Sequence, residues 1–221
     1  MRTLYHFQFS PFSRRTRLAL AQKGLKVELK EGRSNPAFME EARKLWALRT
    51  MPVLVEEDGR ALGDSNAIVR YLDAAYPTER ALWPTAPEAV RTAGEVASLV
   101  DGALNLIIDV GTRYHALRGH AEWGTVQGEL VGRAQAALDA LGARAAATGP
   151  RPLTGTSPDD WCAADMWLFT AIAWLDGLPA RAASGQSPLA GQLIALPWSI
   201  PAPLLRWCDP FRARDDVRAL D

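Results

Sequence analysis

Strand-like and helix-like segments alternate over residues 1–76, and their order limits the fold more than any other feature of the chain. The segment 3–7 is rich in strand formers, and Ser10 followed by Pro11 is a typical helix start. Gly24 favours the end of that helix. By the same reasoning we predict strands at 3–7, 27–30, 51–55 and 60–62, and helices at 11–22, 36–46 and 65–75. The order β-α-β-α-β-β-α predicts an α/β domain.

The sequence changes character after Tyr76. Prolines follow at positions 77, 84 and 87, and no convincing strand pattern comes after them. Apolar residues such as Val96, Val100 and Ala103 then recur at steps of three and four, which is typical of amphipathic helices. We therefore predict a first domain at 1–77, a linker at 78–87 and an all-helical domain at 88–221.

Composition limits the partners that we expect. Lys and Arg together number 25, as do Asp and Glu, so the net charge is zero and the field that attracts nucleic acid or an anionic membrane is missing. The two cysteines, Cys162 and Cys208, lack the close spacing of zinc or dithiol sites. The first residues lack an apolar signal core, and no segment approaches the roughly 18 apolar residues of a membrane span. We expect a cytoplasmic protein with no metal, nucleic-acid or membrane partner.

Three motifs stand at the predicted element starts. They are Ser-Pro-Phe-Ser-Arg-Arg-Thr-Arg-Leu-Ala-Leu at 10–20, Met-Pro-Val-Leu-Val at 51–55, and Asp-Ser-Asn-Ala-Ile at 64–68 with Tyr71-Leu72 after it. In this order and spacing the chain resembles the glutathione S-transferase family over nearly its whole length. The resemblance implies a thioredoxin-like N-terminal domain followed by an all-α C-terminal domain. It also implies glutathione as cosubstrate and a homodimer.

Ser10 and Ser13 stand where thioredoxin-like proteins carry two cysteines. Hydroxyls do not cycle between oxidised and reduced forms, so dithiol exchange is excluded. A helix N-terminus lowers the pKa of a nearby thiol, and a hydroxyl donor stabilises the thiolate further. The resemblance to serine-type members implies that Ser10 activates the thiol of bound glutathione, with Ser13 as the second candidate. Either serine could instead serve only as a structural cap.

The other two motifs suit the rest of glutathione. The resemblance implies a cis Met51–Pro52 bond, with the Met51 backbone pairing with the cysteinyl part. A carboxylate at Asp64 suits the ammonium of the γ-glutamyl end, and the Ser65 hydroxyl and helix amides suit its carboxylate. The family more often has glutamate at position 64 and a Gly-Lys or Gly-Gln pair where Arg49-Thr50 stands. For the glycyl carboxylate the candidates are Arg33, Lys44 and Arg49.

The resemblance places an electrophile pocket between the domains. Its expected lining is Phe9, Phe12, Ile107, Val110, Arg113 and Tyr114. An apolar wall of this kind suits hydrophobic electrophiles. The predicted activity is conjugation of glutathione to such an electrophile. Two alternatives remain: a zeta-like glutathione-dependent isomerase, and a non-catalytic protein that keeps the fold to bind a partner. Tyr5 lies within the first strand, so we do not expect it to activate the thiol.

One further motif concerns stability. Cys162-Ala-Ala-Asp165 fills the frame in which the family usually has an N-capping box, and cysteine is a poor hydrogen-bond acceptor. An alternative helix start is present at Ser157, within the segment 157–160. The sequence leaves both starts open.

Overall fold

A mixed four-stranded sheet forms the centre of the N-terminal region in the computed structural model, which describes residues 1–77, 79–155, 160–185 and 187–220. The strands are β1 (Thr3–His6), β2 (Glu28–Glu31), β3 (Val53–Val55) and β4 (Ala61–Gly63), in the order β2-β1-β3-β4. β1 pairs with β2 in parallel, and β3 is antiparallel to both β1 and β4. This architecture confirms the predicted thioredoxin-like domain.

Three helices complete this region, and each starts at a capping residue that the sequence shows. Helix α1 (Pro11–Gln22) has Ser10 as its N-cap, α2 (Pro36–Leu45) has Asn35, and α3 (Ser65–Ala75) has Asp64. Gly24 follows α1 with a φ of +62°, a left-handed conformation that glycine adopts without a steric penalty. The core contains fully buried side chains from the sheet and from two of the helices, among them Leu4, Leu18, Leu54, Ile68 and Leu72.

A buried lysine holds the segment that follows α3. The Lys23 side chain is completely buried, and its Nζ lies 2.9 Å from the Asp73 carboxylate. It also donates to the backbone carbonyls of Tyr76 and Arg80, each at 3.0 Å. These contacts tie the end of α1 to α3 and to the residues after it. Separating them would leave the buried Lys23 charge without a partner, which is strongly unfavourable.

The rest of the described chain is helical, as predicted. It contains α4 (Pro87–Asp109), α5 (Trp123–Thr148), α6 (Ala163–Asp176), α7 (Leu178–Ala183), α8 (Pro188–Ile194), α9 (Ala202–Arg212) and α10 (Asp215–Arg218). Nearly every residue of α6 is buried. Aromatic packing supports this core: the ring centroids of Trp161 and Phe211 lie 5.3 Å apart in a stacked arrangement.

No described helix is long and apolar enough to cross a membrane.

The chain divides into two compact units. One contains Met1–Val90 together with Arg212–Asp221, and the other contains Arg91–Phe211. The predicted linker at 78–87 stays a prediction. The C-terminal residues group with the first unit, a placement for which the sequence carries no signal.

Helix α6 begins at Ala163 with Cys162 as its N-cap, in the frame of the capping box. The Asp165 carboxylate accepts the Cys162 N–H at 3.0 Å and the Leu153 N–H at 2.8 Å, and the Thr154 hydroxyl also donates to it. Burial raises the pKa of Asp165 above its usual range and raises that of Cys162 to about 11. The alternative start at Ser157 lies outside the described residues.

Candidate functional site

The sheet register brings the three motifs to one edge. Tyr5 in β1 is opposite Val53 in β3, and Val53 is opposite Gly63 in β4. Because β3 is antiparallel to both neighbours, the ends of β1 and β4 lie beside the start of β3. The chain that leaves β1 therefore enters α1, the chain that leaves β4 enters α3, and the chain that reaches β3 passes through Met51–Pro52, all at this edge.

Ser10 and Ser13 occupy different environments in α1. The Ser10 hydroxyl accepts the Ser13 N–H at 3.4 Å, and its side chain is half-buried. Ser13 is completely buried, and its hydroxyl accepts the Phe7 N–H at 3.2 Å. Ser13 therefore fixes the loop that precedes the helix, whereas Ser10 is the serine that a ligand can reach.

The Met51–Pro52 peptide bond is cis, as the family resemblance implies. Pro52 is buried, and the pairing of β3 with β1 stops at Val53, so the Met51 backbone lies outside the ladder. The Met51 side chain lies close to Gly32, since a Cβ built on that glycine would lie 2.9 Å from the Met51 Cε atom. The Met51 backbone groups are therefore not used by the β1–β3 ladder.

Asp64 caps α3 from an unusual backbone conformation. Its φ is +68°, and its Oδ1 atom accepts the N–H groups of Asn66 at 2.9 Å and Ala67 at 3.0 Å. Aspartate is among the non-glycine residues found most often at positive φ. The preceding Gly63 has no room for a side chain, because a Cβ there would lie 2.3 Å from the Trp46 indole. The packing of Trp46 against Gly63 therefore helps to fix the backbone position of the adjacent Asp64.

The Ser65 hydroxyl accepts hydrogen bonds from Arg15, a residue that the sequence analysis missed. Arg15 donates to the Ser65 Oγ from Nε at 2.9 Å and from Nη2 at 2.6 Å. Both side chains are buried, with 4% of Arg15 and 2% of Ser65 exposed. The Arg15 guanidinium also lies 5.0 Å from the ring centroid of Phe12. The Ser65 hydroxyl therefore links α3 to α1 and brings a buried positive charge to the start of α3. These bonds use its oxygen as acceptor and not its O–H as donor, so the expected role towards a ligand carboxylate stays a prediction.

The candidates for the glycyl carboxylate are exposed. Arg49 has a φ of +54°, and its N–H donates to the Trp46 carbonyl at 2.9 Å. The Arg33 guanidinium lies 5.4 Å from the ring centroid of Phe7, and Lys44 is exposed on α2. All three cations are exposed to solvent and accessible to a ligand. The structure does not single out one of them as the partner of the glycyl carboxylate.

The electrophile-pocket residues separate into two groups. Ile107 and Val110 are completely buried, so they contribute to the helical core and not to a surface that a ligand could reach. An apolar helix face has the same periodicity whether it packs in a core or lines a pocket. The sequence pattern therefore placed Ile107 and Val110 in the pocket wrongly. Phe9 is 45% exposed and Phe12 is half-buried, so both stay candidates. The side chain of Tyr114 lies outside the described residues, and Arg113 is exposed.

Two other ionisable side chains of β1, those of Tyr5 and His6, are buried. The Tyr5 hydroxyl donates to Glu41 at 2.7 Å and receives a bond from Lys30 at 3.3 Å, so it is not placed to activate a thiol. His6 is buried, and burial together with the nearby charge of Arg17 lowers its pKa to about 4. Among the described residues, no cluster of His, Cys, Asp and Glu could hold a metal ion.

Comparison with known proteins agrees with the motifs. A sequence profile for the glutathione S-transferase N-terminal domain matches residues 4–80. The chain is 34% identical over 136 residues to a probable glutathione S-transferase, GSTU1, from Oryza sativa subsp. japonica. That match covers 54% of this chain and 53% of the relative, so the chain spans about half the length of the curated relatives it matches.

Solved structures match over the whole chain. A glutathione S-transferase from Methylobacillus flagellatus, crystallised with glutathione bound, has a TM-score of 0.73 at 19% identity, covering 100% of this chain and 98% of its own. A bacterial maleyl pyruvate isomerase, a glutathione S-transferase of the zeta class, has a TM-score of 0.66 at 20% identity, covering 99% and 95%. At these identities the structures establish the fold alone, and the sequence profile covers only the N-terminal part of the chain. By sequence, residues 4–80 match a glutathione S-transferase N-terminal domain, and by fold the whole chain is similar to solved glutathione S-transferases.

Proposed function

We propose that this chain binds glutathione at the motif-bearing sheet edge and transfers its thiolate to a hydrophobic electrophile. The observation that carries the proposal is the convergence of three features at one edge: the accessible Ser10 hydroxyl at the start of α1, the cis Met51–Pro52 bond, and the Asp64 cap of α3. The first two features suit the cysteinyl part of glutathione, and Asp64 suits its γ-glutamyl end.

In the proposed reaction, the start of α1 and the Ser10 hydroxyl stabilise the thiolate of glutathione. The partial positive charge of the helix start favours the anion, and a hydroxyl donor adds a charge-assisted hydrogen bond. The thiol proton passes to solvent. The sulfur then attacks an electrophilic carbon, a C–S bond forms, and the leaving group departs with its bonding electrons.

The γ-glutamyl end of glutathione would meet Asp64 and the start of α3. Asp64 Oδ1 is used by the amides of Asn66 and Ala67, which leaves Oδ2 for the ligand ammonium. The Ser65 N–H precedes these two amides at the start of α3, and we propose that it donates to the α-carboxylate of the γ-glutamyl end. Arg15 lies directly behind Ser65 and contributes positive charge to the same carboxylate. The aspartate thus combines a structural cap with a ligand contact.

The remaining features of the proposal extend the family resemblance. We place the protein in the cytoplasm as a homodimer, with the electrophile in contact with Phe9 and Phe12. A glutathione-dependent isomerase is the second candidate, supported by the fold that this chain shares with the zeta-class maleyl pyruvate isomerase. Conjugation is preferred because the zeta class usually has Ser-Ser-Cys followed shortly by tryptophan, whereas this chain has Ser-Pro-Phe-Ser-Arg at 10–14.

Isothermal titration calorimetry with glutathione tests the proposal. Asp64→Asn is the informative variant, because asparagine keeps an oxygen for the α3 cap and tolerates positive φ while losing the negative charge. We expect the parent to bind, and the variant to bind about tenfold or more weakly, as for the loss of a hydrogen bond to a charged group. Asp58→Asn, an exposed carboxylate in the β3–β4 turn, is the control and leaves affinity unchanged.

Two results would contradict the proposal. If the parent shows no heat of glutathione binding, the chain is a non-catalytic member of the family. If it binds glutathione but does not conjugate an activated aryl chloride, while it isomerises a cis-unsaturated diacid, the isomerase candidate replaces conjugation.

A further inference from the structure

Gln8 lies two residues before Ser10 and is held by three separate parts of the first unit. Its N–H donates to Glu31 Oε1 at 3.2 Å, next to the end of β2. Its side-chain Oε1 accepts a hydrogen bond from Arg17 of α1 at 3.1 Å. Its side-chain Nε2 donates to the Leu220 carbonyl at 2.9 Å. Both polar ends of this side chain are therefore used to fasten the β1–α1 loop.

The C-terminal segment that accepts these bonds is docked on α1. Arg17 is buried, and it donates to the Leu220 carbonyl as well as to Gln8. The side chains of Val217 and Leu220 are 3% and 4% exposed, which shows that the segment is packed and not lying loosely on the surface. Further along α1, Gln22 donates to Asp216, so the segment is tied at two places.

The loop between Gln8 and α1 has little freedom of its own. The Ser10 N–H donates to the Phe7 carbonyl at 3.1 Å, and the Phe7 N–H donates to the Ser13 hydroxyl at 3.2 Å. Ser10 is thus connected to Gln8 through a closed turn of four residues. A displacement of Gln8 would be passed to the Ser10 hydroxyl, since no flexible linker separates them.

We propose that the docked C-terminal segment, acting through Arg17 and Gln8, positions the Ser10 hydroxyl for the thiol of glutathione. Gln8 is then a positioning residue that acts through Ser10. The proposal rests on the proposed function. The support for this proposal is the set of hydrogen bonds at Gln8. An apolar side chain at this position could fill the same space, but only a polar one can make the bonds that converge on the loop carrying Ser10. Misplacement of a catalytic group by about 1 Å can cost on the order of a hundredfold in rate.

The test compares two substitutions of similar shape. Gln8→Met keeps the length of the side chain and removes its side-chain bonds to Arg17 and Leu220, while the 3.4 Å bond from Arg17 to the Gln8 main-chain carbonyl remains. Gln22→Met is the matched control, because it removes the other tie to the C-terminal segment without touching the loop. Arg17→Met opens the same link from the side of α1 and serves as a second variant. Two readouts are followed: amide hydrogen exchange over residues 7–13 without ligand, and the pKa of the bound glutathione thiol by ultraviolet absorbance.

We expect Gln8→Met and Arg17→Met to speed exchange over residues 7–13 by about threefold or more, and Gln22→Met to leave it unchanged. We expect Gln8→Met to raise the thiol pKa by roughly half a unit or more, with glutathione affinity within about threefold of the parent. Unchanged exchange in Gln8→Met, or equal effects of Gln8→Met and Gln22→Met on the thiol, would overturn the positioning role. Failure of the parent to bind glutathione would instead refute the proposed function, and the exchange result would still show whether Gln8 fastens the loop.

Discussion

The contact between Arg15 and Ser65 makes a quantitative prediction, because both side chains are buried and the donor is charged. The guanidinium approaches the Ser65 Oγ with two nitrogens, at 2.9 and 2.6 Å. Hydrogen bonds to charged groups contribute about 1.5–3 kcal/mol, and a buried donor that loses its acceptor also suffers the cost of desolvation. We therefore expect Ser65→Ala to lower the free energy of unfolding by about 2–3 kcal/mol.

A double-mutant cycle isolates the pair from everything else that each substitution changes. Ser65→Ala, Arg15→Met and the double variant are compared with the parent by urea denaturation at pH 7. The two single changes remove the same bonds, so the double variant should be more stable than their sum predicts by about 1.5 kcal/mol or more. A coupling below about 0.5 kcal/mol would refute the reasoning, because it would mean that the Arg15–Ser65 contact does not stabilise the fold.

Three further predictions concern stability. Burial and the charge of Arg17 lower the pKa of His6 to about 4, so about 3 kcal/mol of stability is present above pH 6.5 and is lost as the pH falls towards 4. His6→Leu should flatten that slope in urea denaturation, and an unaltered slope would contradict the assignment. Gly63→Ala should cost about 1–3 kcal/mol through its clash with Trp46, and an unchanged melting midpoint would disprove the clash. Cys162→Ser should stabilise the fold by about 0.5–1 kcal/mol, since a hydroxyl is the better cap acceptor; a lower midpoint would show that burial of the thiol matters more.

The parts of the fold that the sequence predicted are those coded by neighbouring residues. Ser10-Pro11 and Asn35-Pro36 each contain a cap acceptor directly before proline, and both helices begin where that pairing places them. Asp64-Ser65 likewise marks the start of α3. Strand limits were less well defined: β3 begins at Val53 and not at residue 51, because the cis Met51–Pro52 unit precedes the ladder.

The parts that the sequence could not predict depend on contacts between distant residues. Arg15 and Ser65 are separated by 50 positions, and Gln8 and Leu220 by 212. In a helical pattern Arg15 and Arg17 appear as ordinary surface charges, and only the folded arrangement shows that they are buried. Ile107 illustrates the converse, because helical periodicity identifies an apolar face without saying whether it meets solvent or core.

Titration of the bound glutathione thiol is the most direct test of the claim that the accessible serine activates it. Ultraviolet absorbance of the thiolate is followed against pH for the parent, Ser10→Ala and Ser13→Ala. Because Ser10 is accessible and Ser13 is buried against the Phe7 N–H, Ser10→Ala should raise the thiol pKa by about one unit or more, and Ser13→Ala should raise it much less. A larger shift in Ser13→Ala, or no shift in Ser10→Ala, would contradict the account.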